Sequence, residues 1–288
     1  MIYCIVGPTA SNKSLLAEKI ANFHHAIVIN CDAYQVYIEM NKGTAKPSLE
    51  FLKDHPNYFL YNFRHIDEPY NVYLYQKDAR KLLDKYANEN IVVVGGTGLY
   101  LKALLYDYKF QEEEAMPEDY LNELTNEELY NCLKQIDYQD ALKIGKNNRK
   151  RLLRAIYIYN THNKNKTDLN NEGKNELLYK NVTFIGLNYP REILYERINK
   201  RVDEMIANGL KEEVTKISKD FPKVNQALQA IGYKEFFLGL NDEDTIDLIK
   251  KNTRNYAKRQ LTFFKNQFDN IIWFDDLEEA FLYAKGIY

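Results

Sequence analysis

The stretch GPTASNKS, Gly7 to Ser14, restricts what this chain can fold into more than any other. The apolar run Ile2 to Val6 leads into it as a strand, and Leu15, Leu16, Ala17 and Ile20 leave it with the period of a helix that opens at Lys13. A buried strand that turns through a glycine loop into a helix is the phosphate-binding P-loop, and it predicts an NTPase-like α/β fold with a parallel sheet flanked by helices. In the loop formed by Gly7, Pro8, Thr9, Ala10, Ser11, Asn12, Lys13 and Ser14, backbone N–H groups and the helix N-terminus point at an anion. Lys13 adds a point charge, and the Ser14 hydroxyl can hold a magnesium ion. One position departs from the pattern: Asn12 stands where glycine is expected. That position needs a left-handed backbone, which Asn tolerates better than any residue except glycine, so the loop is expected to close all the same.

The remaining apolar runs extend the same architecture. Ala26 to Asn30, Ile91 to Val94, Val182 to Leu187 and Ile271 to Phe274 read as strands separated by helical segments, the alternation of a doubly wound parallel sheet. The 288 residues suffice for one sizeable core and a smaller inserted domain. The core is assigned to residues 1–110 and 147–288. Residues 111–146 are acidic at first and then amphipathic around Leu121, Leu124, Leu129 and Leu133, which reads as a small helical insertion. The stretch from Asn160 to Lys180 has few apolar residues and reads as a loop.

Composition narrows the setting. With 45% hydrophobic and 28% charged residues, the chain is neither disordered nor fibrous. A net charge of −2 gives no global pull toward nucleic acid, so such a partner must be met by a local basic surface. Cys4, Cys31 and Cys132 are too few and too scattered for a disulfide framework or a zinc module, and fit reduced thiols in the cytoplasm. No apolar run approaches the roughly twenty residues of a membrane span, and the glycine loop follows Met1 too soon for a signal peptide. A cytoplasmic protein without membrane attachment is expected.

In open parallel sheets, ligands bind beyond the carboxyl ends of the strands, so the residues after each strand carry the chemistry. Asp32 follows the second strand and brings a carboxylate near the anion loop; a capping Asp would stand there too. After the third strand, Gly95-Gly96-Thr97-Gly98-Leu99-Tyr100 offers glycines for close backbone approach and a threonine hydroxyl, features that a tight strand-to-helix turn also explains. A helix from Pro190 carries Leu194, Ile198, Val202 and Met205 on one face, with Arg201 at the stripe's border, placed either to reach a phosphate or to pair at the surface. Two basic clusters, Lys143 to Arg154 and Lys250 to Arg259, fit a nucleic-acid backbone or a solvated helix face equally well.

Taken in order, GPTASNKS, DAYQVY, GTAKP, RHID, GGTGLY, NNRKRLLRA, ERINKRVDEM, QAIGYKE and YAKRQLTFF resemble the bacterial tRNA dimethylallyltransferases along nearly the whole chain. The resemblance implies transfer of a dimethylallyl group from dimethylallyl diphosphate to the exocyclic amine of the adenosine 3′ of the anticodon, in tRNAs reading codons that begin with U. It implies catalytic roles for Asp32, Arg201 and Thr9: Asp32 accepts the amine's proton, while Thr9, Lys13, Ser14 and Arg201 attend the diphosphate. Asp32, Ala33, Tyr34, Gln35, Thr97, Lys150, Arg151, Arg154, Gln229, Gly232, Tyr233 and Lys234 match the family's tRNA contacts, and the helical insertion is expected to touch tRNA. Mg2+ at Ser14 and a monomer complete the expectation. Departures from the family pattern are Asn12 for Gly, Ala33 for Ser, Lys150 for Gln and Phe263 for Trp. The rival reading is a P-loop small-molecule or nucleoside kinase, which lacks a second magnesium carboxylate where Gly95 and Gly96 stand; an inert RNA-binding module would leave Asp32 without a role.

Overall fold

Strand β1 (Ile2–Val6) lies inside a six-stranded, all-parallel sheet of order β3-β2-β4-β1-β5-β6. The computed structural model describes residues 1–108, 116–117, 119–163, 176–222 and 227–287. On one side β1 pairs with β4 (Ile91–Val94), Ile2 opposite Ile91 and Ile5 opposite Val94. On the other it pairs with β5 (Val182–Leu187), Ile2 opposite Val182 and Val6 opposite Gly186. Strand β2 (Ile27–Asn30) joins β4 to the two-residue edge strand β3 (Tyr58–Phe59), and β6 (Ile271–Phe274) closes the far edge on β5. The chain moves to one side of β1 for β2 and β3, returns through β4, and continues on the other side with β5. The order therefore reverses beside β1, where such sheets open a crevice at their carboxyl ends.

The inner strands read as near-continuous apolar runs, broken at Asn30 in β2 and Thr183 in β5, because helices cover both faces. β1, β2 and β4 are buried throughout. Against one face lie α1 (Lys13–His24), through Leu16, Ala17 and Ile20, and the last helix of the chain, through Ala280 and Ala284; both pack with Tyr3, Ile5, Val28 and Ile185. Residues of the opposite parity look the other way, as Phe184 does toward the ring of Phe268, 5.5 Å between centroids. That second face carries α2 (Val72–Lys85) and α3 (Gly98–Leu105), whose Tyr75 and Tyr100 rings stack at 4.5 Å. Among the described residues no helix is long and apolar enough to cross a membrane.

The chain divides into two compact units, 1–105 with 179–288, and 106–178. The second unit is larger than the insertion expected at 111–146 and corrects that boundary. Its helices α4 (Asn126–Ile136), α5 (Tyr138–Ile144) and α6 (Arg149–His162) share one core, in which Leu152, Leu153, Ala155 and Ile156 meet Leu129, Leu133 and Ala141. Helix α6, expected in the main core, thus belongs to this unit and runs two residues beyond Asn160 into the stretch read as a loop. The remainder of that loop at 164–175, and the acidic start of the insertion at 111–115, lie outside the described residues. Arg149 is not a free cation: its guanidinium donates to the carbonyls of Leu121 (3.0 Å) and Leu124 (2.6 Å), turning the approach to α4 into a fixed loop. Lys146 pairs with Glu127.

Candidate active site

The turn from β1 into α1 is built by its backbone. Gly7 leaves the strand with φ 146°, and a Cβ on it would lie 2.5 Å from the Leu187 carbonyl oxygen, so only glycine allows β1 and β5 to end this close. The buried Ser11 hydroxyl closes the turn by donating to the Pro8 carbonyl at 2.8 Å. Ala10 and Asn12 are left-handed, with φ of 62° and 60°. Asn12 therefore takes the conformation expected of it. No side chain caps α1, which leaves the N–H groups of its first turn directed outward for an anion.

A second loop faces it. Asn30, buried at the end of β2, accepts the Asp32 N–H on Oδ1 (3.1 Å) and donates from Nδ2 to the Leu60 carbonyl (2.8 Å). Asp32 in turn accepts the N–H groups of Tyr34 (2.9 Å) and Gln35 (3.3 Å) on Oδ1 alone. Its Oδ2 takes no hydrogen bond from any described residue. Asp32 caps a turn, and no helix follows it. One carboxylate oxygen is thus fixed and the other is left for a proton donor.

The third loop follows β4. A Cβ on Gly95 would lie 2.0 Å from the Cys31 carbonyl oxygen, so the two strand ends cross at a distance no other residue permits. Thr97 stands behind Asp32: its hydroxyl accepts the Ala33 N–H at 3.2 Å, and its own N–H donates to Cys31 at 3.2 Å. Gln260 joins this loop to the first. From helix α9 (Asp242–Gln267) its Oε1 accepts the Thr9 N–H at 2.8 Å, and its Nε2 donates to the Gly96 carbonyl at 2.9 Å. Sequence reasoning gave Gln260 no role, because 251 residues separate it from Thr9. The available signal was a glutamine in register with Ile249, Ala257 and Phe264 on the buried stripe of its helix.

These loops enclose a cavity of 610 Å3. Thr9 to Ser14, Asp32, Tyr34, Gln35, Gln229 and Gly232 to Lys234 line it, as does Arg201 from α7 (Arg191–Ala207). Gly7 and Pro8 form the base of their loop, and Ala33 and Thr97 support the Asp32 turn from outside the cavity wall. Lys150, Arg151 and Arg154 are exposed on α6 in the second unit.

The cavity's electrostatics are those of a waiting anion site. Burial, then the Arg201 guanidinium, partly opposed by Asp32, bring the Lys13 ammonium down from 10.5 to about 7. Its Nζ rests on the Pro8 carbonyl at 2.5 Å. Burial also lowers Arg201, against the attraction of Asp32 and Glu204. Arg201 makes no hydrogen bond or ion pair with any described residue. Burial and the Asp32 charge push the phenols of Tyr34 and Tyr256 up, so both stay neutral donors. Among the described residues no group of three or more His, Cys, Asp or Glu could hold a metal. A metal here would therefore draw most of its ligands from a bound phosphate and water.

Fold and site together define an α/β protein whose first strand-to-helix loop is shaped for a phosphorylated ligand, with a half-free carboxylate in the same cavity. The family model described as IPP transferase matches residues 35–267, and the chain belongs to that family. A tRNA dimethylallyltransferase of Malacoplasma penetrans is 38% identical over 269 residues, covering 92% of this chain and 89% of that protein. The crystal structure of a tRNA isopentenylpyrophosphate transferase from Staphylococcus epidermidis, 33% identical, superposes with a TM-score of 0.71 over 99% of this chain and 97% of its own. A eukaryotic dimethylallyltransferase acting on tRNA superposes with a TM-score of 0.81 at 26% identity, over 96% of this chain and 75% of that one.

Two outcomes follow from the loop. At pH 8 Lys13 is mostly neutral in the free site, and a bound diphosphate raises its pKa, so binding takes up a proton and weakens as pH rises above about 7, by up to about tenfold per unit. Because inorganic diphosphate sheds a proton of its own in a cationic site, calorimetry of its binding in buffers of different ionisation enthalpy is read as a difference: the wild type is expected to take up near one proton more than Lys13→Arg, and equal uptake in both would refute the assignment. Because glycine adopts φ near 60° without strain, Asn12→Gly is expected to keep or raise that affinity, and a large loss would contradict the geometry.

Proposed function

We propose that this protein transfers a dimethylallyl group from dimethylallyl diphosphate to the exocyclic amine of the adenosine immediately 3′ of the anticodon of tRNA, releasing diphosphate. The observation that supports it most is the meeting of Lys13, Arg201 and Asp32 in one cavity, two cations for a leaving anion and one carboxylate for a proton. In the reaction the bond between the allylic carbon and the diphosphate oxygen breaks as the bond from the amine nitrogen to that carbon forms. The electron pair leaves with diphosphate. Lys13, Arg201 and the N–H groups of residues 10–14 are aimed at that growing charge, the arrangement that lowers such barriers most.

The amine lone pair is delocalised into the adenine ring and attacks weakly, so removal of its proton as the bond forms carries part of the barrier. Asp32 Oδ2 is the acceptor, held in aim by the Tyr34 and Gln35 N–H groups on Oδ1. The base reaches the cavity by leaving the stack of the anticodon loop, where it is not paired and extrusion costs least. Gln229 and Gly232 to Lys234 are assigned to the RNA beside it, and Lys150, Arg151 and Arg154 with the helical unit 106–178 to the anticodon stem.

The Ser14 hydroxyl fits a magnesium ion carried in by the diphosphate. When bound, that ion neutralises part of the leaving group's charge. We further assign the protein to the cytoplasm as a monomer acting on tRNAs that read codons beginning with U. A kinase reading has less support, since Gly95 and Gly96 occupy the place of its second magnesium carboxylate.

Incubation of the protein with unmodified tRNA, magnesium and either radiolabelled dimethylallyl diphosphate or labelled ATP separates these readings. Label from the allyl donor is expected in tRNA; label from ATP alone would favour the kinase. Asp32→Asn is expected to cut turnover about a hundredfold or more while tRNA affinity stays within a few fold. Unchanged turnover would remove Asp32 from the mechanism.

A further inference from the structure

One carboxylate beside the cavity gathers more donors than any motif in the chain foreshadows. Glu213 lies on α8 (Leu210–Asp220). Its Oε1 accepts the Tyr233 hydroxyl at 2.7 Å and the Lys42 N–H at 3.0 Å. Its Oε2 accepts the N–H groups of Asn41 and Lys42, both at 3.0 Å. The Tyr233 hydroxyl, with its proton given to Glu213, accepts the Gly43 N–H at 3.2 Å. Three successive backbone donors are thus satisfied by one carboxylate and one phenol.

The surroundings leave this arrangement no slack. Tyr233 is fully buried, and a Cβ on Gly43 would stand 2.3 Å from its ring. At the other end of the same segment, Lys46 Nζ donates to the Tyr37 carbonyl (2.5 Å), the Ile38 carbonyl (3.1 Å) and the Asn62 side chain. Gly43 to Ala45 then form a wall of the cavity, opposite in chemistry to the cationic Thr9–Ser14 turn. The wall is linked onward: Gln35 Nε2 donates to the Thr44 carbonyl at 3.1 Å, and the Gln35 N–H is one of the two donors on Asp32 Oδ1.

We infer that Glu213 is a positioning residue, which fixes the 41–45 wall and through Gln35 the Asp32 turn, so that the incoming adenine meets the carboxylate in register. The inference rests on the transfer reaction proposed above. Only an anionic carboxylate suits the place. The carboxylate serves three donors, the Lys42 N–H being shared by both oxygens, so in Glu213→Gln the amide NH2 must face either the Tyr233 hydroxyl in the place of Oε1 or the Asn41 N–H in the place of Oε2. The Tyr233 hydroxyl cannot turn to rescue it, because the Gly43 N–H already occupies its acceptor side. Glu213→Asp keeps four acceptor sites on a shorter stem.

The test compares these two variants with the wild type in labelled transfer and in binding of inorganic diphosphate. Glu213→Gln is expected to lower kcat/KM for tRNA at least tenfold, while diphosphate affinity and melting temperature stay near wild type. Glu213→Asp is expected to recover most of that loss. If Glu213 merely supported the fold, diphosphate affinity and melting temperature would fall together with activity, and that outcome overturns the inference, as does a kcat/KM within twofold of wild type. Hydrogen exchange at the Asn41, Lys42 and Gly43 amides reads the contact without catalysis. Glu213→Ala, which removes every acceptor, is expected to speed it at least tenfold at Asn41 and Lys42 even if the wild type transfers no allyl group, a result that would sink the proposed reaction but not the contact. Unchanged exchange would sink the contact itself.

Discussion

At the carboxyl ends of β1, β2 and β4 three glycines meet neighbouring groups, two backbone carbonyls and one side-chain amide, closer than a Cβ permits. Gly7 meets the Leu187 carbonyl, Gly95 the Cys31 carbonyl, and Gly96 the Gln260 amide, each at a separation that a Cβ would close to 2.5 Å or less. Everything chemical in the molecule depends on that crowding. It brings the anion turn, the Asp32 turn and the Thr97 loop to the mouth of one cavity, and Gln260 then locks the first to the third with two hydrogen bonds. Buried amide bonds of this kind contribute about 1 kcal/mol each, yet leaving either backbone group unpaired would cost more. Gln260 is thus a condition of the geometry more than a source of stability.

Within that enclosure, charge is arranged against the comfort of the free protein. Lys13 and Arg201 repel each other across a poorly solvated space, and both are held below their ordinary pKa. Asp32 attracts both and pairs closely with neither, since its bonded oxygen is committed to its own turn. A site that is electrostatically satisfied when empty gains little from a ligand. In the reaction proposed above, the unsatisfied cations are what a diphosphate would relieve, and the relief would grow with the anion's charge during bond cleavage.

The legible part of the fold is its local part. Strand β1, the left-handed Asn12 and the start of α1 at Lys13 are fixed by neighbours a few residues away, so spacing alone reveals them. Asp32 and Arg201 are legible for a related reason, being at a strand end and at the edge of an apolar stripe. What stays hidden depends on partners far along the chain. The stripe of α6 would look the same whether it covered the sheet or α4, and only the packing of Leu152 and Ile156 on Leu129 and Leu133 assigns it to the second unit. Arg149 reads as one cation in a basic run, although it serves the carbonyls of Leu121 and Leu124. Glu213 looks like one more acid on an amphipathic helix.

The positions where this chain departs from its family's usual residues bear on how much chemistry it retains. Ala33 lacks a hydroxyl, but the contact that steadies its loop uses its N–H on Thr97, which any residue supplies. Phe263 packs its ring on Gly98, a contact that depends on shape and needs no polar group. Asn12 already sits in the left-handed region that a glycine would adopt. None of these three changes removes a group from the set formed by Lys13, Arg201 and Asp32. A phosphate-binding turn by itself serves kinases and transferases alike, since both must stabilise negative charge on phosphorus-bound oxygen. A carboxylate placed opposite serves both, since a kinase also needs a base for its nucleophile, and what separates them here is the match to the IPP transferase family. The asymmetry at Asp32, one oxygen fixed and the other open to a proton donor, is written into the backbone of residues 32–35.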